Sequence, residues 1–203
     1  AVEVLEMENQ VNQLEHRLRK KHLGRLNEGV CTPEMTVVYT EILHNLERIG
    51  DYATNIDEFA ERIKKEQISF SETALAELKI IFSAVSEIID MAVTAFVEND
   101  VALAKRVEPL EEVIDDMVMI LRDRHTKRLK NGNCSVDNGL VFMEALTYLE
   151  RASDQCSSIA VMMMERKNKK ILQNHYDYLK EIHSGNDAAY MEELEKRREQ
   201  YIT

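Results

Sequence analysis

A glutamate and an aspartate four residues apart occur twice in the same setting. The two strings are Leu46-Glu47-Arg48-Ile49-Gly50-Asp51 and Leu149-Glu150-Arg151-Ala152-Ser153-Asp154, and they lie 103 positions apart (150 − 47 = 103). On a helix this spacing stacks the two carboxylates on one face, where like charges cost about 0.2–0.5 kcal/mol unless something positive sits between them. Glu111 and Asp115 repeat the spacing on the preceding segment. Oxygen-only donors suit hard or intermediate cations such as Mg, Mn, Ca or iron. The competing reading turns the acids into surface ion pairs with Arg48 and Arg151, their neighbours in sequence. Recurrence of the whole arrangement in register favours the cation.

The recurrence extends well beyond the motif. At an offset of 103, Val4 meets Val107, Glu8 meets Glu111, Leu18-Arg19 meets Leu121-Arg122, His22 meets His125, Gly29 meets Gly132 and Cys31 meets Cys134. Glu41, Leu43 and Ile56 continue the match to Glu144, Leu146 and Ile159 without a gap. Composition alone does not hold a Gly, a Cys and a His in register, so the chain contains a duplicated helical unit.

The elements that must carry these acids follow from apolar periodicity. Helices are expected over 2–27, from Thr32 and Pro33 to about residue 66, from Ser71 to about residue 98, over about 101–130, and over about 136–166. Thr32 reads as an N-cap with Pro at the first helical position, and Asn99-Asp100 and Asn131-Gly132-Asn133 read as stops. A further segment over 169–183 should break at Ser184-Gly185-Asn186, with Asp187 capping a charged tail helix. Glu47, Glu111, Asp115 and Glu150 each follow a core residue by one position, about 100° round the helix, and so flank the buried seam. Antiparallel neighbours would bring Glu111, Asp115, Glu150 and Asp154 around one point, and Glu8, Glu47 and Asp51 around another. The fold class is all-α, made of duplicated antiparallel three-helix bundles. Repeat one covers 1–66 and repeat two 70–166, with a helical tail over 169–203, all in one domain of 1–203. The first helix of the first repeat is expected to lie before residue 1, because Ala1 aligns with Ala104.

Composition narrows the function. The 203 residues are 44% hydrophobic with only 6 Gly and 2 Pro, which favours long helices and short joins. A net charge of −11 argues against nucleic acid as a partner. The basic stretches 17–21 and 122–128 read as solvated helix ends, and His22 and His125 as groups that cap helix C-termini. The 3 Cys, an odd number without disulfide spacing, suit a reducing cytosol: Cys31 and Cys134 as small turn residues, Cys156 as core. Met162-Met163-Met164 reads as core filling. No run approaches 18 apolar residues, so no membrane-spanning segment is expected. No nucleophile sits beside a base and there is no Gly-rich phosphate loop, so an enzyme is not expected. A ferritin-like di-iron site would need Glu-x-x-His on two helices. Glu41-Ile-Leu-His44 supplies one, but its repeat partner reads Glu144-x-x-Thr147.

These motifs resemble the PhoU family, whose hallmark is a repeated three-helix bundle carrying Glu-x-x-x-Asp motifs. Leu46 to Asp51 is that family's string intact, Leu149 to Asp154 keeps its Glu, Arg and Asp, and Glu111 and Asp115 match the motif of the preceding helix in full. In the first repeat that motif is Glu8-x-x-x-Asn12, where a neutral amide replaces the acid. The resemblance covers roughly residues 1–166. It implies metal ligands at Glu8, Asn12, Glu47, Asp51, Glu111, Asp115, Glu150 and Asp154, an ion such as iron, zinc or a Mg/Mn-like cation, and a regulatory part in phosphate uptake. The tail resembles the C-terminal region of bacterial sodium/phosphate cotransporters. That implies a domain at the cytoplasmic face of the cell membrane, with the membrane transporter part of the same polypeptide as its partner. The alternative is a free-standing PhoU regulator that contacts an ABC phosphate transporter and a sensor kinase. The apolar face left by the absent helix should be covered by a homodimer partner or by the 169–203 tail folding back.

Overall fold

The computed structural model describes residues 2–167 and 187–202, with the side chains of 165–167 left aside. Helix α1 spans Val2–Asn27, α2 Pro33–Glu66, α3 Glu72–Glu98, α4 Val101–Ala104, α5 Val107–Lys130, α6 Val136–Lys167 and α7 Ala188–Tyr201. The all-α expectation holds, and the ends fall where the caps place them. Thr32 and Ser71 each accept a backbone N–H in the first turn of their helix, from Met35 and Ala74. Asn99 stops α3 in the left-handed region, and Asp187 caps α7 through the amides of Ala189 and Tyr190. The duplication survives in the backbone: Gly29 and Gly132 both take φ of 71°, which a residue with a Cβ rarely adopts. The expected break at 184–186 lies outside the described residues.

One helix was expected over 101–130, and two are found. Pro109 has no N–H to give the carbonyl of Lys105, four residues back, and its ring crowds that carbonyl. The chain therefore turns at Lys105 and Arg106 and restarts at Val107.

The core lies in a three-helix bundle of α3, α5 and α6, where Ile81, Ile88, Leu110, Ile114, Phe142, Leu149 and Ile159 are fully buried. Each such side chain contributes about 1.5–3 kcal/mol. This is the complete repeat. The first repeat is a hairpin of α1 and α2 that joins it through α2 on α6, with Leu46, Ile49, Tyr52 and Ile56 against the common core. By length and composition α3 is apolar enough to cross a membrane, where no such segment was expected. Here it is the central core strut, and its buried Glu77 is held by Arg128 of α5 at 2.8 Å.

The expectation that the tail folds onto the first repeat is corrected for α7, which packs on α5 and α3 of the second. The anchor is Arg197, only 3% exposed, which pairs with Glu87 of α3 and with Glu193 at 2.9 Å. Arg198 reaches Asp116 at 3.0 Å and Arg106 reaches Glu193 at 3.1 Å.

The histidines are not helix caps. His22 stacks on Tyr39 at 4.1 Å between ring centroids and His125 on Phe142 at 4.4 Å, both buried in their hairpins. Arg128 Nη2 lies 3.2 Å from His125 Nδ1. A guanidinium can only donate, so Nδ1 accepts and the ring proton sits on Nε2, facing Cys134 Sγ at 3.9 Å. His22 Nε2 faces Cys31 Sγ at 3.8 Å in the first copy. The reading of 122–128 as a solvated end is corrected too, because Arg122 and Arg128 turn inward to acids. Cys156 is core as expected, its thiol pushed up to about 12 by burial, and Met163 and Met164 are buried.

Candidate metal centre

Glu111 and Asp115 lie one turn apart on α5, and Asp154 faces them from α6. One carboxylate oxygen of each lies within 4.8 Å of the others, the sole such trio of metal-capable groups among the described residues. The α5–α6 packing around Leu110, Ile114 and Ser153, each fully buried, puts them there: an acid one step past each of these residues stands at the edge of the seam.

The surroundings make this an expensive place for negative charge. Burial pushes the Glu111 carboxyl up to about 9, helped by Glu108 and then Asp115. Burial, then Asp154 and Glu150, raises Asp115 to about 6. Asp154 is raised by the same two causes, burial first and Glu150 second. The buried Oδ1 of Asp115 has no hydrogen-bond partner. Clustered, desolvated carboxylates and an orphaned oxygen are what a metal ion would relieve, so the donor set fits a hard or intermediate cation.

The fourth expected acid, Glu150, stands beside this trio rather than in it. Arg122 clasps it, with Nη2 at 2.7 Å from Oε2 and Nη1 at 3.2 Å from Oε1. Glu150 stays near enough to disfavour the charge on Asp115 and Asp154, yet its oxygens serve the guanidinium.

Sequence reasoning missed Glu108. It is 3% exposed and accepts a hydrogen bond from the Ser157 hydroxyl of α6. Glu108 precedes Glu111 by three residues and Ser157 follows Asp154 by three, so both extend the same two faces. Helical spacing could have found them. The repeat could not, because their partners at offset 103 are Leu5 and Thr54.

The first repeat gathers no such trio among the described residues. The Asn12 amide donates to Glu8, and its buried Oδ1 is left without a partner. Glu47 is raised by burial first and Asp51 second, while His44, 3.5 Å away, pulls it back. His44 thereby serves Glu47, its neighbour one turn on.

A match to the PhoU domain spans residues 1–60 and 78–163, and so includes the motif acids Glu8, Glu47, Asp51, Glu111, Asp115, Glu150 and Asp154. The chain belongs to the PhoU family. A PhoU homologue of Thermotoga maritima, called a phosphate-specific transport system accessory protein, is 29% identical over 192 residues, covering 93% of this chain and 81% of that protein. A homologue of the same description from Pseudomonas aeruginosa is 26% identical, covering 81% of this chain and 68% of its own. The crystal structure of Pseudomonas aeruginosa PhoU superposes with a TM-score of 0.71 at 22% identity, over 80% of this chain and 78% of that one. That of the Streptococcus pneumoniae PhoU regulatory protein gives 0.69 at 16%, over 82% and 78%. At such identities the two structures speak for the fold, and they agree with the PhoU-like all-α architecture. PhoU proteins are regulatory rather than enzymatic.

Proposed function

We propose that this PhoU protein is a metal-dependent regulator of phosphate transport, working with transport components at the cytoplasmic face of the cell membrane. Glu111, Asp115 and Asp154 hold the cation, with Glu108 beside them and Glu150 kept in reserve by Arg122. The observation that carries the reading is the trio itself: three carboxylates brought within ligand distance at a half-buried seam, inside the region that matches the family. The bound ion supplies positive charge that neutralises the seam and fixes α5 against α6, which sets the shape a partner meets.

The relatives favour the free-standing form over a domain fused to a sodium-coupled cotransporter, since each bears the name of an accessory protein of a phosphate-specific transport system. The finer expectation of a shared polypeptide with a transporter draws support only from the resemblance of the tail. Phosphate-uptake measurements on cells lacking the gene test the role. Uptake should become insensitive to external phosphate, and the wild-type chain should restore sensitivity where Asp154→Asn does not. Normal regulation in the deleted cells would refute it.

A further inference from the structure

The stretch that matches the PhoU domain ends at residue 163, and α7 lies outside it. Yet α7 reaches the acids of the metal centre. Arg198 pairs with Asp116 at 3.0 Å, and Tyr201 and Ile202 line one small cavity with Met117 and Leu121, so α7 runs alongside α5. At its other end Tyr190 comes level with the first turns of α5. Tyr190 is only 6% exposed and joins the common core with Leu194. Burial first, and then the charges of Glu112, Glu108 and Glu111, raise its phenol above the ordinary range. Glu111 belongs to the trio, and Glu108 is the acid whose charge weighs most on it.

A docked helix takes water away from whatever it covers. Here it covers one end of a carboxylate cluster, and an anion stripped of water without a counter-charge is costly. The metal-free cluster therefore opposes docking of α7, and a cation in it favours docking. By reciprocity, whatever factor the cation adds to docking, docking adds to cation affinity. The route is physical: water kept out by Tyr190 no longer screens the attraction between ion and carboxylates. The anchor of α7 stands apart from this cover. Arg197, held by Glu87 and Glu193, is seven residues from Tyr190 (197 − 190 = 7), about 10 Å along the helix. Docking is thus open to loosening without touching the acids.

We propose that α7 is the reporter of the metal centre: a cation at Glu111, Asp115 and Asp154 tightens the docking of α7 through Tyr190, and docked α7 tightens the cation. The inference rests on the reading of the trio as a cation site and gives that site an output. Occupancy sets how firmly the α3–α5 face is covered, a change that a partner protein can sense.

Hydrogen exchange of the α7 amides, followed by mass spectrometry on the full chain with and without saturating Mn, measures docking. Calorimetric titration with Mn measures affinity. In the wild type Mn should slow exchange over 188–201 about fivefold or more, and more than over α1, which shares only a global stabilisation. Glu111→Gln with Asp154→Asn removes the charge that opposes docking, so α7 should exchange slowly with or without Mn. Arg197→Ala should weaken Mn binding about fivefold or more. The sign decides, because loss of a positive charge alone would strengthen cation binding. Lys196→Ala, the same loss at an exposed position of α7, should not weaken it. Tyr190→Ala should act as Arg197→Ala does, and Tyr190→Phe, which keeps the ring, should bind as the wild type does. A wild type that binds no Mn overturns the reading of the trio and this inference with it. Mn that binds and leaves α7 exchange unchanged, or Arg197→Ala that binds Mn as tightly as the wild type, overturns this inference alone.

Discussion

Arg122 of α5 holds Glu150 of α6 through two nitrogens, at 2.7 and 3.2 Å, and so removes one acid of the repeated motif from the cluster beside it. In the first repeat the matching arginine, Arg19, binds Glu15 of its own helix at 2.7 Å and leaves Glu47 to His44. The same motif therefore has two fates, decided by where one arginine points. Glu150→Gln should weaken cation binding about 10–100-fold, as loss of an outer-shell support does, while Glu111→Gln or Asp154→Asn, which remove a ligand, should cost more. Calorimetric titration with Mn or Zn compares them directly. Equal losses at all three positions would put Glu150 back among the ligands.

The metal-free protein should lose stability as pH rises from 7 to 9. Glu111 at about 9 and Asp115 at about 6 are raised above their unfolded values. Each contribution is complete below the unfolded pKa and lost as pH climbs to the folded one, so that of Asp115 is spent by about pH 6 and the fall between pH 7 and 9 belongs to Glu111. Each such proton is worth up to about 1.4 kcal/mol per pH unit. His125 acts oppositely, lowered by burial from 6.5, so its effect is confined to more acid solution. Thermal melts should show Tm falling by several degrees between pH 7 and 9, since a chain of this size moves roughly 2–4 °C per kcal/mol. Glu111→Gln should flatten the slope, and so should a saturating cation. A slope unchanged in Glu111→Gln would assign it elsewhere.

Docking of α7 should fail in acid. Glu87 and Glu193 are lowered by their arginine and tyrosine partners despite partial burial. Their pairing with Arg197 is present above the unfolded carboxylate pKa and lost as pH drops below it. Arg197→Ala should cost about 2 kcal/mol, less than a fully buried pair because Glu87 is partly exposed. Denaturant unfolding reads the loss. A variant as stable as wild type would mean that α7 is held by apolar contact alone.

Much of the fold was legible in the sequence because caps and stops are local. Thr32, Ser71, Asn99 and Asp187 act on backbone groups within a few residues of themselves. The helix break at 105–106 was legible too, from Pro109, but apolar periodicity ran through it and hid it. The acids at 111, 115 and 154 came from spacing plus duplication. Glu108 escaped because duplication filtered it out, and the diversion of Glu150 escaped because arginine reach is a property of the packed pair α5–α6. The buried place of His125 also depended on packing: Gly139 lets α6 sit against the ring.

That last contact is a prediction of its own. A Cβ at Gly139 would stand 2.8 Å from Leu129 Cδ2 and 3.1 Å from His125 Nε2, whereas one at Gly24 meets nothing within 4 Å. Gly139→Ala should destabilise by about 1–3 kcal/mol through overpacking. Gly24→Ala, inside α1, should stabilise by up to about 1 kcal/mol through helix propensity. Chemical denaturation of both variants checks the signs, and a harmless Gly139→Ala would contradict the packing described.

The central claim is that the second repeat, not the first, holds the cation. Titration of the metal-free chain with Mn or Zn, followed by calorimetry, measures it in a matched pair of double variants. Glu111→Gln with Asp154→Asn should abolish the tightest binding event, and Glu47→Gln with Asp51→Asn should leave its affinity within a few-fold of wild type. Tight binding that survives the first pair of changes, or disappears with the second, would contradict the account.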